Sequence, residues 1–347
     1  MAISPAFGSV PRPDKGRIIA IYVGLLIANA AAWLWAWRVC QDHPTLLGMA
    51  VLAYTLGLRH AVDADHIAAI DNVTRKFLQH GKEVSTIGLH FSLGHSTVVG
   101  LACLLTASSS VALRSHLSFL ENFGGSFGSI VSATFLFAVA LVNAVTLYSL
   151  YNSLRARRFT NGDNEALPRG ILHRFLRPVI AVVARPWHMF PLGFMFGLGF
   201  DTATEISVLG LSASQAAQGI SFWSIMVFPA LFTAAMALID TTDGIVMTEV
   251  YGWAADKPER RIIYNVIVTS LSVAVAFFVG GLQLLHLVAD QFTLKSRFWS
   301  WVGDINESFS ALGCFIAALF IACWTLSAAA SRHWVRKNRE GSGTPKF

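Results

Sequence analysis

Eight stretches of the chain are apolar enough to cross a bilayer: 17–39, 45–70, 84–106, 127–150, 188–212, 222–249, 262–288 and 305–330. A spanning helix needs about 20 apolar residues at 1.5 Å rise per residue, and each stretch meets that length. The pattern predicts an all-α polytopic membrane protein with eight transmembrane helices. The first stretch reads as a retained span rather than a cleaved leader, because its apolar core is too long and no small-residue cleavage site follows. The loops are short, which predicts one transmembrane domain over 1–347 with no soluble unit appended.

Composition agrees. Of 347 residues, 54% are hydrophobic and 13% charged, against about 25% charged in soluble domains. A water-facing surface cannot be covered by so few charges, and disorder, collagen and small secreted scaffolds are excluded. The formal net charge of +6 suggests at first a nucleic-acid partner, but its placement explains it otherwise. Twenty-one Lys and Arg flank one side of the predicted bundle and four the other. Seven of the 21 are arginines between 151 and 187. By the positive-inside rule both termini and this basic loop are cytoplasmic, beside anionic lipid. The partner expected is the bilayer, with no nucleic acid. Cys40, Cys103, Cys314 and Cys323 form no CxxC pair and read as small buried hydrophobes.

Four predicted helices break the apolar rule. The second carries Arg59-His60-Ala-Val-Asp63-Ala-Asp65-His66, and the third carries His90, Ser92, His95 and Ser96. The fifth carries Asp201 and Glu205, and the sixth Asp240 and Asp243. A charge inside a membrane costs roughly 2.5–3.5 kcal/mol on insertion scales. Six carboxylates stand against one arginine, an excess that mutual pairing cannot neutralise and a cation can. Counted along each helix, the clusters converge between the midplane and the cytoplasmic side.

Helical angles constrain the arrangement. At 100° per residue His60, Asp63 and His66 share an arc of about 120°, whereas Asp65 points about 160° away from Asp63. Either Asp65 serves another helix, or residues 60–66 are not a regular straight helix. Asp63 has an alternative partner in Arg59, four residues back. Ser92, His95 and Ser96 form one polar arc, and His90 faces the other way, as a packing histidine does. The acidic pairs of the fifth and sixth helices have their own alternative, hydrogen bonding between helices through adjacent threonines. Gly193 and Gly197 form a small-xxx-small pair suited to tight packing within the monomer.

Imidazole with carboxylate, without thiolate or thioether, suits borderline divalent metals such as Zn, Ni, Co, Cu or Fe. Oxygen-only ligation would suit Mg or Ca. The residue types alone stop at "transition metal".

The strings RHAVDADHI (59–67), FSLGHSTVV (91–99), LGFDTATEI (198–206) and LIDTTDG (238–244) resemble, in order, the four signatures of the nickel/cobalt transporter family. The high-affinity nickel permeases are the nearest type, and the resemblance covers nearly the whole chain. It implies uptake of nickel, with cobalt as a further cargo, by a secondary-type permease of the bacterial inner membrane. The ion is substrate, and no catalytic cofactor is implied. The family's H-x4-DH pattern falls on His60, Asp65 and His66, which the resemblance makes metal ligands. His95 and the acidic pairs would line the translocation path. The resemblance places selectivity at a polar position of the first helix and within the second signature, here Asn29 and Val62. A related efflux branch has a His-rich cytoplasmic loop. Here the loop 152–187 carries only His173, which favours uptake. The helical wheel points to Asp63 and the family pattern to Asp65; the pattern is followed here, with residues 60–66 expected not to form a regular straight helix.

Two other readings compete. A membrane-embedded metalloprotease needs H-E-x-x-H, whereas the spacing here is H-x5-H with no Glu between. A carrier of another divalent metal is the second. No GxxxxGK[ST] loop is present, so no ATPase subunit is evident from the sequence.

Overall fold

The computed structural model describes residues 14–79, 81–82, 84–108, 126–145, 147–148, 183–199, 202–255, 258–323 and 325. Asp201, His173 and most of the basic loop lie outside the described residues. Among the described residues every regular element is a helix and no strand occurs. The first four are α1 (Lys15–Asp42), α2 (Leu46–His60), α3 (Ala64–Gln79) and α4 (Ile87–Ser108). Next comes α5 (Ser126–Val145). A 3-10 turn at Pro186–His188 leads into α6 (Met189–Gly197), followed by α7 (Ala203–Ala217) and the short α8 (Phe222–Ile225). The remaining helices are α9 (Val227–Ala255), α10 (Pro258–Gln291), α11 (Arg297–Glu307) and α12 (Phe309–Cys323).

Among the described residues, five helical segments are long and apolar enough to cross a membrane: α1, α4, α5, α8 continued by α9, and Val266–Gln291 of α10. Taken together α11 and α12 make a sixth, bent by 69°. The protein is therefore a multi-pass, all-helical membrane protein.

The predicted spans 45–70 and 188–212 are not continuous helices. The first stops at His60, turns through Ala61–Asp63, and resumes as α3, which runs on to Gln79. The second stops at Gly197 and resumes at Ala203. At the first break no Pro or Gly intervenes, and charge order sets the boundary. Arg59 and His60 occupy the last turn of α2, and Asp65 the first turn of α3. Cations are favoured at helix C-termini and carboxylates at N-termini. The turn closes through Val62 N–H to Arg59 O (3.2 Å) and Asp63 N–H to His60 O (2.9 Å), and Asp63 O accepts from Ile67 N–H (3.2 Å). On its outer side Gly313 of α12 lies against the Val62 carbonyl, where a Cβ would collide.

Helix α9 packs on α1, α2, α3 and α4. Its Phe228, Phe232 and Met236 are buried with Leu46 and Ala53 of α2, Cys103 of α4 and Val208 of α7. A second apolar cluster joins α3, α4, α6, α10 and α12 through Ile70, Phe91, Phe196, Val279 and Phe320. Hydrophobicity cannot hold helices together in lipid, so close packing must. Gly193 of α6 meets the Phe91 backbone of α4, and Gly197 the His95 carbonyl (2.8 Å from an ideal Cβ). The small-xxx-small pair thus serves packing within the monomer. Ile19, Leu26, Ile27 and Leu34 of α1 are exposed, as a lipid-facing helix requires.

Candidate metal site

The two breaks meet. Thr204 Oγ1, in the first turn of α7, lies 3.0 Å from His60 Nδ1 at the end of α2. Because α2 ends at His60, its ring comes from a helix terminus. His66 is carried by the first turn of α3, and His95 comes from the straight helix α4. The three imidazoles are 1–3% exposed. One nitrogen from each lies within 4.8 Å of the others. Ring centroids are 4.6 Å apart for His60–His66 and 4.8 Å for the other two pairs. His60 Nε2 and His95 Nε2 are 2.8 Å apart. Two nitrogens on one ion, at metal–nitrogen distances of about 2.0–2.1 Å, lie about 2.9–3.4 Å apart. The pair stands close to that spacing already.

Carboxylates surround the rings. Glu205 Oε1 is 2.8 Å from His95 Nε2 and 3.9 Å from His60 Nε2, so it sits on the same side of the cluster as the facing nitrogens. Its Oε2 accepts from Thr202 Oγ1 at 3.0 Å. Asp63 Oδ2 is 2.8 Å from His60 Nδ1, while Asp63 Oδ1 accepts the Ser310 hydroxyl of α12. A carboxylate on one ring nitrogen fixes the tautomer and leaves the other nitrogen for a metal. Asp240 Oδ1 is 3.6 Å from His66 Nδ1. Phe91 and Phe232 pack edge or tilted against His66 and His60, with centroids 4.9 and 5.5 Å away, and close the cluster with apolar surface.

Other expected residues lie elsewhere. Asp65 Oδ2 accepts from Gln283 Nε2 of α10 (3.1 Å), and Asp65 Oδ1 accepts from the His66 backbone N–H (3.0 Å). His90 Nδ1 is bonded to the Thr86 carbonyl (2.6 Å), a turn back on its own helix. Ser92 Oγ likewise donates to Leu89 O at 3.1 Å. Asn29 donates to Leu25 O (2.9 Å) and Ala234 O (3.1 Å) and accepts from Tyr54 OH (2.9 Å), tying α1 to α2 and α9. Val62 is half-buried in the turn. Asp243 lies one turn beyond Asp240 on α9.

Several participants were not anticipated. Ser310 and Gln283 are polar residues within the eighth and seventh predicted spans, and nothing local in the sequence sets them apart. Gln283 in turn accepts from Ser132 Oγ of α5 at 2.8 Å. Arg75, beyond the end of the second predicted span, is buried on α3. Its guanidinium donates to Asp71 Oδ2 (2.7 Å) and Val268 O (3.1 Å), and Asp71 Oδ2 also accepts from Ser272 Oγ (2.8 Å). Asp71 and Arg75 are four residues apart, the spacing of a helical ion pair.

Fold and cluster together define a multi-pass helical membrane protein with a buried imidazole–carboxylate centre. Residues 46–330 match the family described as high-affinity nickel-transport protein (NicO), and the chain belongs to that family. It is 49% identical over 330 residues to the high-affinity nickel transport protein of Cupriavidus necator, covering 93% of this chain and 94% of that one. It is 42% identical over 313 residues to the nickel transporter NixA of Staphylococcus aureus (88% and 92% covered). Identity is 40% over 330 residues to the cobalt transport protein NhlF of Rhodococcus rhodochrous (92% and 93% covered). No solved structure matches the chain. The family is one of transporters, not enzymes, and the metalloenzyme reading falls away.

Proposed function

We propose that this chain carries nickel ion inward across the cytoplasmic membrane as a single-component, secondary-type permease, with cobalt its closest competitor. The observation that carries the proposal is the buried set His60, His66 and His95, whose nitrogens face one another from three helices. Imidazoles with an adjacent carboxylate, Glu205, suit a borderline divalent cation. In this reading the two broken helices are spans two and five of eight, both termini are cytoplasmic, and the breaks bring their ligands to the middle of the bundle. Discontinuous helices that meet at a central site are the arrangement secondary transporters use. The relatives named for nickel and for cobalt support the cargo class.

The test is uptake of labelled nickel at nanomolar concentration by cells expressing the chain, with cobalt, zinc and manganese as competitors. Nickel should accumulate, cobalt should compete best, and manganese least. Accumulation no greater than in cells lacking the chain would reject the proposal. Preferential inhibition by zinc or manganese would move the cargo to another divalent metal.

A further inference from the structure

Helix α11 is unlike the spanning helices. Its 11 residues make it about 16 Å long at 1.5 Å per residue, half the hydrocarbon core of about 30 Å. Phe298, Trp301, Val302 and Ile305 fall at i, i+3, i+4 and i+7, which is one face of a helix. Arg297, Ser300 and Asp304 lie on the other face and are exposed. The protein covers only part of the apolar face. Val302 is fully buried and Ile305 packs on the apolar cluster of α3 and α10, whereas Phe298 is 51% and Trp301 54% exposed. The Phe298 ring lies 5.1 Å from that of Trp299 and 6.4 Å from that of Trp301, a continuous aromatic patch.

The chain reaches this helix by a sharp turn and leaves it by a sharp bend. At the end of α10, Leu294 N–H donates to Ala289 O (2.9 Å) and Thr293 N–H to Asp290 O (3.2 Å), with Thr293 at φ 49°. That is a Schellman stop with a left-handed residue at the usual position. Beyond α11 the axis bends by 69° into α12. Spanning helices stand on average about 20° from the membrane normal, so a helix bent this far from one lies nearer the membrane plane.

We infer that α11 lies in the bilayer interface, its Phe298 and Trp301 among the outermost acyl carbons and its Arg297, with Lys295 before it, on lipid phosphates. Within hydrocarbon the exposed Arg297 and Asp304 would be costly. In water the aromatic patch would stay uncovered. The interface satisfies both faces, and aromatic and basic residues together are what anchors a helix there. The patch also continues a lipid-facing surface, since Phe315 and Ile321 of α12 and Phe278 of α10 are exposed. Helix α12 begins two residues after α11. Its Ser310 and Gly313 brace the turn at Val62 and Asp63, so a lipid hold on α11 is a hold on that turn. The inference does not depend on the cargo.

The experiment reads depth along α11 in lipid nanodiscs. In a chain whose Cys40, Cys103, Cys314 and Cys323 are replaced, Arg297→Cys, Phe298→Cys, Ser300→Cys, Trp301→Cys and Asp304→Cys each carry a nitroxide. Dissolved oxygen, which concentrates in hydrocarbon, should relax the labels at 298 and 301 several-fold more, relative to chromium oxalate, than those at 297, 300 and 304. A steady drift from water to hydrocarbon along the five positions overturns the inference and makes α11 the first part of a broken span. Chromium oxalate reaching all five equally overturns it in favour of water. Labels at 298 and 301 closed to both reagents overturn it in favour of a second protein surface. Should the cysteine-free chain not fold, the fluorescence lost in Trp301→Tyr decides. It should be quenched by lipids brominated near the acyl carbonyl and spared by those brominated at the chain end, and equal or absent quenching overturns the anchor.

Discussion

His60 Nε2 and His95 Nε2 stand 2.8 Å apart although they belong to different helices. Neither ring can turn away freely, since His60 is held from behind by Asp63 at 2.8 Å and His95 is held by Glu205 at 2.8 Å. The pair thus stands close to the spacing that two nitrogens on one ion would take. His60→Ala and His95→Ala should each lower nickel uptake by at least about tenfold, because each removes a direct imidazole donor. Labelled-nickel uptake normalised to the amount of protein in the membrane measures this. Parental uptake by either well-expressed variant would show that the ion is bound elsewhere.

Asp63 and Asp65 are expected to differ. Asp63 grips His60, while Asp65 is engaged by Gln283 and the His66 backbone. Loss of a carboxylate behind a metal-binding histidine typically weakens metal affinity about 10–100-fold. Asp63→Ala should show that loss in nickel titration of the purified protein, and Asp65→Ala a smaller one. The reverse order would make Asp65 the direct ligand that the H-x4-DH pattern implies.

The chemistry of this region is legible in the sequence, and its geometry is only partly so. Six carboxylates in apolar stretches announce a cation, and the order Arg59-His60 then Asp63-Ala-Asp65 marks the end of one helix and the start of another. The wheel groups Asp63 with His60, but for a continuous helix. In the structure they meet across a turn. Thr202-Ala-Thr-Glu205 has the sequence of a capping box, yet Thr202 makes no side-chain cap. Its hydroxyl donates to the Glu205 carboxylate, which is itself turned to His95. That substitution depends on helices far away in sequence, as do the Ser310 and Gln283 contacts. Nothing local in the chain specifies them.

Gly313 holds the turn between α2 and α3 by close approach to Val62 O. Adding a methyl group there must push the turn that carries His60 and Asp63. Gly313→Ala should destabilise the protein by about 1–3 kcal/mol, the usual cost of overpacking, and reduce nickel uptake with it. Gly303→Ala on α11, where a Cβ meets nothing within 4 Å, is the control. Equal melting temperatures for the two variants would show that the turn yields freely.

In the last turn of α3, Lys76 Nζ donates to the Val183 carbonyl at 3.0 Å. Burial, then the neighbouring Lys82 charge, lowers its ammonium to about 8. An unfolded lysine titrates near 10.4. Between those values the unfolded chain binds more protons, so this group makes stability rise with pH from about 8 to 10.4. Lys76→Gln should flatten that rise in melting temperature. An unchanged slope would assign the titration to another group.

Selectivity is expected to reside in shape. Nickel and cobalt share donor preferences, so ligand geometry must separate them. Asn29 uses both ends of its amide, joining Leu25, Tyr54 and Ala234, and so fixes where α1 and α2 stand on α9. Val62 sits in the turn between His60 and Asp63, pinned by Gly313. Asn29→His breaks the three-way tie and adds a nitrogen donor, and Val62→Phe enlarges a side chain in a region with little slack. Both changes move the His60 ring relative to His95 without removing a ligand. The double variant should therefore keep transporting nickel while its preference over cobalt falls. Competition uptake reads this directly, with cobalt inhibiting nickel entry at lower excess than in the parent. If the double variant excludes cobalt as well as the parent does, these residues only pack α1 and α12 against α2, and the discrimination lies within the histidine cluster itself.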